Sequence, residues 1–168
     1  MNKNALLELF QQQSISFDIY DHAALYTVKD SIKIMGNIEG AHTKNLFLKN
    51  KKNQFFLIAC LQTTKIDLKK LQKKINIGNI SFAKDKYLRS LLGVEPGAVN
   101  PFGLLNDVNN EINFFLDIKI TFSKKVNFHP LVNTSTVTLN TNDFIKFMKI
   151  NNKLVNILNF DNYSVVNE

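Results

Sequence analysis

Apolar and polar positions along the chain repeat with two different periods, and each change of period marks an element. Leu6, Leu7, Leu9 and Phe10 lie on one stripe of a helical repeat, so residues 3–13 predict a helix. Ser16-Phe-Asp-Ile-Tyr20 then alternates as a strand does. Thr27 with Asp30 three residues on has the form of a capping box, with Asp in place of Glu, and predicts a short helix over 28–35 closing at Gly36. Leu46-Phe-Leu48 and the run 54–61, separated by the polar turn Asn50-Lys-Lys-Asn53, predict a hairpin of two buried strands. Asp67 is placed to cap a helix over 68–74, with Leu68, Leu71 and Ile75 as its apolar edge and Lys69, Lys70, Lys73 and Lys74 toward water. Another amphipathic helix, over 84–92, ends at Gly93, a natural residue for a left-handed helix terminus. Strands follow over 111–116, 125–128, 134–139 and 154–158, with a helix from Thr141, as its cap, through Lys149. Strands and helices mixed without regular βαβ alternation predict a mixed α/β, α+β-like fold around a curved sheet.

Composition narrows the class. With 168 residues, 14 Phe and 45% hydrophobic content, the chain has enough material for one cored domain spanning 1–168. Cys60 is the single cysteine, which excludes an intrachain disulfide, and its apolar neighbours make it a small buried hydrophobe. His22, His42 and His129 are too scattered for a zinc spacing, and no G-x-G-x-x-G or Walker loop is present, so neither a metal nor a nucleotide cofactor is expected. No apolar run approaches the roughly 18 residues of a membrane span, and the N-terminus lacks the form of a signal peptide, so a cytoplasmic protein without membrane association is expected. Twenty-one basic against 14 acidic side chains give a formal charge of +7, which favours an acidic partner such as a nucleic acid. Arg89 is the single arginine, a mix suited to phosphate attraction and not to bidentate base reading.

Three stretches carry candidate chemistry. Gly93-Val-Glu-Pro-Gly-Ala-Val-Asn-Pro-Phe-Gly103 holds three of the six glycines and two of the three prolines, which makes it a shaped backbone wall. Thr43-Lys44-Asn45 sets an ammonium at the mouth of a predicted strand, where it suits a phosphate or carboxylate. Asn127-Phe-His-Pro-Leu-Val-Asn-Thr134 fixes an imidazole between an aromatic residue and a proline.

Taken in order and spacing, AHTKNLFLKN, SFA with LGVEPGAVNPFGLLND, and VNFHPLVNTSTV resemble the prolyl-tRNA editing domains related to YbaK. Free-standing bacterial prolyl-tRNA deacylases, of the ProXp-ala or PrdX type, are the nearest branch. The resemblance covers nearly the whole chain. It implies a partly barrel-like mixed sheet and hydrolysis of mischarged tRNA in trans, most often alanine on tRNA for proline. Serine, cysteine or 2-aminobutyrate are alternatives, as is a non-catalytic module that binds tRNA or a synthetase. Lys44, Gly97 and His129 match the family's functional positions, with Asn45, Ala98, Val99, Pro101, Phe102, Phe128, Asn133 and Thr134 expected to bind substrate. The implied partners are the 3′ aminoacyl end of mischarged tRNA and prolyl-tRNA synthetase. Thr27-Val-Lys-Asp30 departs from the family's more acidic helix start.

On this reading Lys44 holds the terminal phosphate, the peptide groups of 97–101 meet the acyl carbonyl and the attacking water, and His129 orients the substrate. No serine or cysteine nucleophile is expected, since Cys60 has no base beside it.

Overall fold

The apolar run Phe55–Leu61 forms β3, buried along almost its entire length because strands flank it and apolar layers cover both faces. On one side lies β2 (Ala41–Asn50), antiparallel, and on the other β5 (Ile112–Asp117), parallel. The computed structural model describes residues 1–166, apart from the side chains of residues 28 and 31.

From the N-terminus the chain runs through α1 (Lys3–Gln12), β1 (Phe17–Asp21) and α2 (Val28–Met35) before the β2–β3 hairpin. The helix α3 (Leu68–Lys74), β4 (Ile80–Phe82) and α4 (Asp85–Tyr87) precede β5. Then come α5 (Ile118–Thr121), β6 (Lys125–Phe128), β7 (Ser135–Asn140), α6 (Thr141–Ile150), β8 (Asn156–Asn159) and β9 (Ser164–Val166). Among the described residues, the strands form one open mixed sheet in the order β1-β7-β6-β2-β3-β5-β8-β9, with β4 also beside β2. The mixed α/β expectation agrees with this architecture, and the sheet does not close into a barrel.

Several local expectations change. β2 begins at Ala41, five residues before its apolar stretch, because the polar segment 42–45 is also extended. The predicted helix over 84–92 divides into α4 and a π-helical turn, Leu88–Leu92, where the Gly93 N–H reaches the Leu88 carbonyl. Gly93 takes the expected left-handed conformation, φ 65°. Asn140, not Thr141, caps α6: its side chain accepts from the amides of Asn142 and Asp143, whereas the Thr141 hydroxyl is buried without a hydrogen-bond partner. The last predicted strand starts at Asn156, and Leu154 is exposed. At the second helix, the Thr27–Asp30 capping box forms as predicted.

Two apolar layers sandwich the sheet. The larger packs α1, α6 and the segment after Pro101 on one face, and the smaller packs α3 and Phe160 on the other. At the centre of the first, Phe102 meets the rings of Phe10, Phe128, Phe144 and Phe147 at centroid distances of 5.3, 5.8, 5.9 and 6.0 Å, mostly edge to face, a favoured aromatic geometry. Phe102 is the second residue of a 3₁₀ turn, Pro101–Asn106, so the glycine- and proline-rich segment is bolted to the core at its C-terminal end.

β2 positions the site by changing partners. β3 takes one edge over Thr43–Lys49. The other edge is shared: β6 pairs with Ala41 and His42, and β4 pairs with Leu48–Asn50. Between them, among the described residues, no strand covers the segment 43–46 on this edge, and a cleft opens at that gap.

Candidate active site

Alternate residues of an antiparallel ladder direct their peptide groups to opposite edges. The Gln62 N–H to His42 carbonyl bond and the Asn50 N–H to Gln54 carbonyl bond fix the even-numbered positions toward β3. The Thr43 carbonyl and the peptide groups of Asn45 therefore face the gap, while the Thr43 N–H belongs to the parallel ladder with β6. Thr43 spans its rim by donating from Oγ1 to the Asn127 carbonyl, 2.7 Å.

The cleft, about 300 Å³, is lined from four directions: Thr43–Leu46 of β2, Gln62 after β3, Leu25–Thr27 before α2, and Gly97, Val99 and His129. Lys44, Gly97 and His129, remote from one another in sequence, thus share one hollow. Asn45 and Val99 join them. Ala98, Asn133 and Thr134 line a neighbouring cavity on the other side of the loop, and Phe128 lines a small recess behind His129. Pro101 and Phe102 are buried and line none of these hollows. Of the residues expected to touch substrate, these two instead anchor the loop.

Each side chain is held by identifiable partners. Lys44 donates from Nζ to the Thr64 carbonyl, and the turn carrying Thr64 is fixed in turn by Asp117, whose buried carboxylate accepts from Thr64 Oγ1 at 2.8 Å and from the Lys119 amide at 3.0 Å. An ammonium has three N–H donors, so this bond leaves two for a ligand. His129 Nδ1 lies 2.9 Å from the Ser135 carbonyl. A carbonyl only accepts, so Nδ1 carries the proton and the neutral ring presents Nε2 as an acceptor. Burial lowers the His129 pKa below its ordinary 6.5, outweighing the Ser135 bond, and nearby His22 pushes the same way. The two imidazoles, distant in sequence, have ring centroids 6.0 Å apart.

The loop wall is equally constrained. Gly97 has φ 87°, and a Cβ there would lie 3.3 Å from both the Asn133 side-chain amide and the Tyr26 ring. Ala98 donates its N–H to the Glu95 carbonyl, 3.0 Å, and the buried Asn100 side chain donates to the Ala98 carbonyl, 2.6 Å. Peptide groups of Gly97 and Val99 have no hydrogen-bond partner among the described residues. Asn45 Oδ1 is likewise buried without one. The cleft therefore offers a cation, unpaired peptide groups and a neutral imidazole.

Cys60 lies beneath this floor, paired across β2–β3 with Lys44. Burial pushes its thiol up to about 12, which rules it out as a thiolate at neutral pH. Among the described residues no group of three or more His, Cys, Asp or Glu side chains has a metal-binding arrangement, and no helix is long and apolar enough to cross a membrane.

Sequence reasoning missed Leu25, Tyr26, Thr27, Thr43, Leu46 and Gln62, which also line the cleft. The segment 22–25 is laced to 133–134: His22 and Leu25 donate their amides to the Thr134 and Asn133 carbonyls, both at 3.0 Å, and Asn133 Nδ2 returns a bond to the Leu25 carbonyl at 3.2 Å. Those bonds bring Tyr26, 71% exposed, over Gly97. Polar residues in an otherwise apolar strand were the available signal at Thr43; nothing in the local pattern marked Tyr26.

Known proteins share this arrangement of chain. The chain is 36% identical over 152 residues to the prolyl-tRNA editing protein ProX of Acetoanaerobium sticklandii, covering 89% of this chain and 92% of that protein. It is 33% identical over 162 residues to the prolyl-tRNA synthetase associated domain-containing protein 1 of Bos taurus, covering 94% of each. A crystal structure of a protein proposed to be a trans-editing enzyme for prolyl tRNA synthetase superposes with a TM-score of 0.67 at 17% identity, over 91% of this chain and 93% of that one, a likeness of fold. The model of the aminoacyl-tRNA editing domain matches residues 22–147, which run from His22 beside the cleft into α6. With most of its length matched in this way, the chain belongs to the aminoacyl-tRNA editing domain family.

Proposed function

We propose that the protein hydrolyses the ester of mischarged tRNA in trans, as a prolyl-tRNA editing deacylase, with alanine on tRNA for proline as the preferred substrate. The observation that carries this reading is the sharing of one cleft by Lys44, Asn45, Gly97, Val99 and His129. Relatives named for prolyl-tRNA editing and for prolyl-tRNA synthetase association support tRNA for proline as the substrate and that synthetase as a partner.

The substrate has a phosphate-bearing 3′ end and a small acyl ester, and the cleft answers both. Lys44 pairs with a terminal phosphate and fixes the ester's position, an effect that works through geometry. Unpaired peptide N–H groups of Gly97 and Val99 stabilise the oxyanion that develops as water attacks the acyl carbonyl. Each such donor is worth about 3 kcal/mol in other hydrolases. Nε2 of neutral His129 accepts from a substrate hydroxyl or from the attacking water and orients it. With Cys60 protonated and buried, water is the nucleophile, and the ester C–O bond breaks to release the free amino acid and the tRNA hydroxyl.

Selection is by size. One methylene in an apolar pocket discriminates by only about 1–3 kcal/mol, so a site that admits alanine rejects proline by bulk and relies on the tRNA for the remainder. The deciding measurement is deacylation by purified protein of Ala-tRNA for proline, Ser-tRNA and Cys-tRNA for proline, cognate Ala-tRNA and Pro-tRNA. Preferential release of alanine from tRNA for proline is the expected result. Binding without turnover of any of them would assign a non-catalytic module.

A further inference from the structure

The edge of β2 that opens the cleft continues, five residues on, into a second groove. Its floor is β4, and its walls are Lys49 and Asn50 of β2, Lys51 of the turn that follows, and residues 83–87 leading into and through α4, enclosing about 370 Å³. Four lysines line it: Lys49, Lys51, Lys84 and Lys86. No acidic side chain lines it, although Asp85 stands in the same turn. The ion pairs among the described residues use Lys3, Arg89, Lys119 and Lys125 and none of these four.

Aromatic surface accompanies the charge. Phe82 is 63% exposed on β4. Tyr87 rests against Phe55 with centroids 5.0 Å apart, while Lys49 and Lys86 hold their ammonium groups 5.5 and 4.8 Å from its ring centroid. Cations free of ion pairs beside an exposed ring match what single-stranded nucleic acid offers, phosphates along its backbone and base faces between them. An acidic peptide would use the lysines but leave Phe82 in water. Because β strands rise about 3.3 Å per residue, Lys49 lies roughly 17 Å along β2 from Lys44, within reach of a short unpaired 3′ segment.

We propose that this groove docks the single-stranded RNA adjoining the substrate's 3′ end, with the lysines on consecutive phosphates and a base stacked on Phe82. The proposal rests on the editing function for the identity of the RNA, but the groove can be tested without it. The probe is an RNA hairpin ending in an unpaired 3′ ACCA, uncharged, and the readout is fluorescence anisotropy with the full chain over a series of salt concentrations.

Phe82→Ala should weaken binding about tenfold. The triple variant Lys49→Gln, Lys84→Gln, Lys86→Gln should lower the steepness of the log–log salt dependence by about 2. Removing the overhang should erase the difference between Phe82→Ala and the parent chain. All these side chains are at least partly exposed, and an unchanged melting temperature verifies the fold of each variant. Lys73→Gln with Lys74→Gln, on α3, is the comparator; an equal loss there would reduce the effect to overall charge and overturn the proposal. Parent-like affinity in both groove variants, or displacement of RNA by polyglutamate of matched charge with equal potency, would overturn it too. Failure of the editing reading shows separately, as an absence of ester cleavage by a parent chain that still binds the hairpin.

Discussion

His129 makes the site sensitive to acid in a definite direction. Its folded-state pKa lies below 6.5, so on acidification the unfolded chain takes up the proton first and stability falls as pH drops from 6.5 toward the lowered value. The ion-paired carboxylates Asp21, Glu39 and Glu95 are held below their ordinary values of 3.8 to 4.5 by their cationic partners, so their contributions persist above that range and are lost only in stronger acid. Between 4.5 and 6.5, His129→Gln should therefore flatten the decline in melting temperature, and deacylation by the parent chain should fall as the imidazole protonates. A profile unchanged by the substitution would remove His129 from both roles. Lys44→Met should lower turnover about a hundredfold while costing about 1 kcal/mol of stability, the worth of the bond to the Thr64 carbonyl, as read by steady-state kinetics and urea unfolding. Gly97→Val combines a disfavoured backbone angle with a clash against Tyr26, so loss of activity there should exceed the loss at Val99→Ala. The sequence exposed Lys44, Gly97 and His129 because unusual residue types stood in unusual company; it hid Tyr26, which reaches the cleft only through bonds to residues more than a hundred positions away.

Among the elements, β3 and α3 were legible because their apolar patterns are uninterrupted, and the β2–β3 hairpin because a polar turn divides two apolar runs. β2 looked shorter than it is because Thr43-Lys-Asn45 breaks the apolar pattern, and the polarity that masked the strand is what the cleft requires. The glycine-proline loop was legible as a wall, but its attachment was not: Phe102 read as a substrate contact and lies in the aromatic core instead. Phe102→Ala should cost about 3–5 kcal/mol in urea unfolding and should also abolish deacylation, since the loop loses its anchor. At α6 the cap falls one residue earlier than the sequence indicated. Asn140→Ala should lose about 1 kcal/mol. Thr141→Val, which removes a buried hydroxyl with no partner, should be neutral or stabilising in the same assay.

Across the whole molecule, a +7 charge dominated by lysine predicts weak, salt-sensitive attraction to any RNA, on which the cleft and its chemistry impose selection. Affinity for uncharged tRNA should drop steeply with added salt, whereas turnover at saturating tRNA should change little, a separation that single-turnover kinetics at two ionic strengths resolves. Net charge could be read directly from composition; the long-range pairing that gathers β2, β6 and the 93–103 segment around one gap could not, because each pairing is specified by a partner remote in sequence. The two lips of that gap are unequally free to vary. One is riveted through Phe102 into the aromatic core, so altering it would disturb everything beneath; the other, residues 23–27, is held to 133–134 by a few main-chain and amide bonds and by the single buried side chain of Leu25. Among descendants of this scaffold, a change of amino-acid preference has its easiest route through the suspended lip, with the riveted one inherited nearly intact.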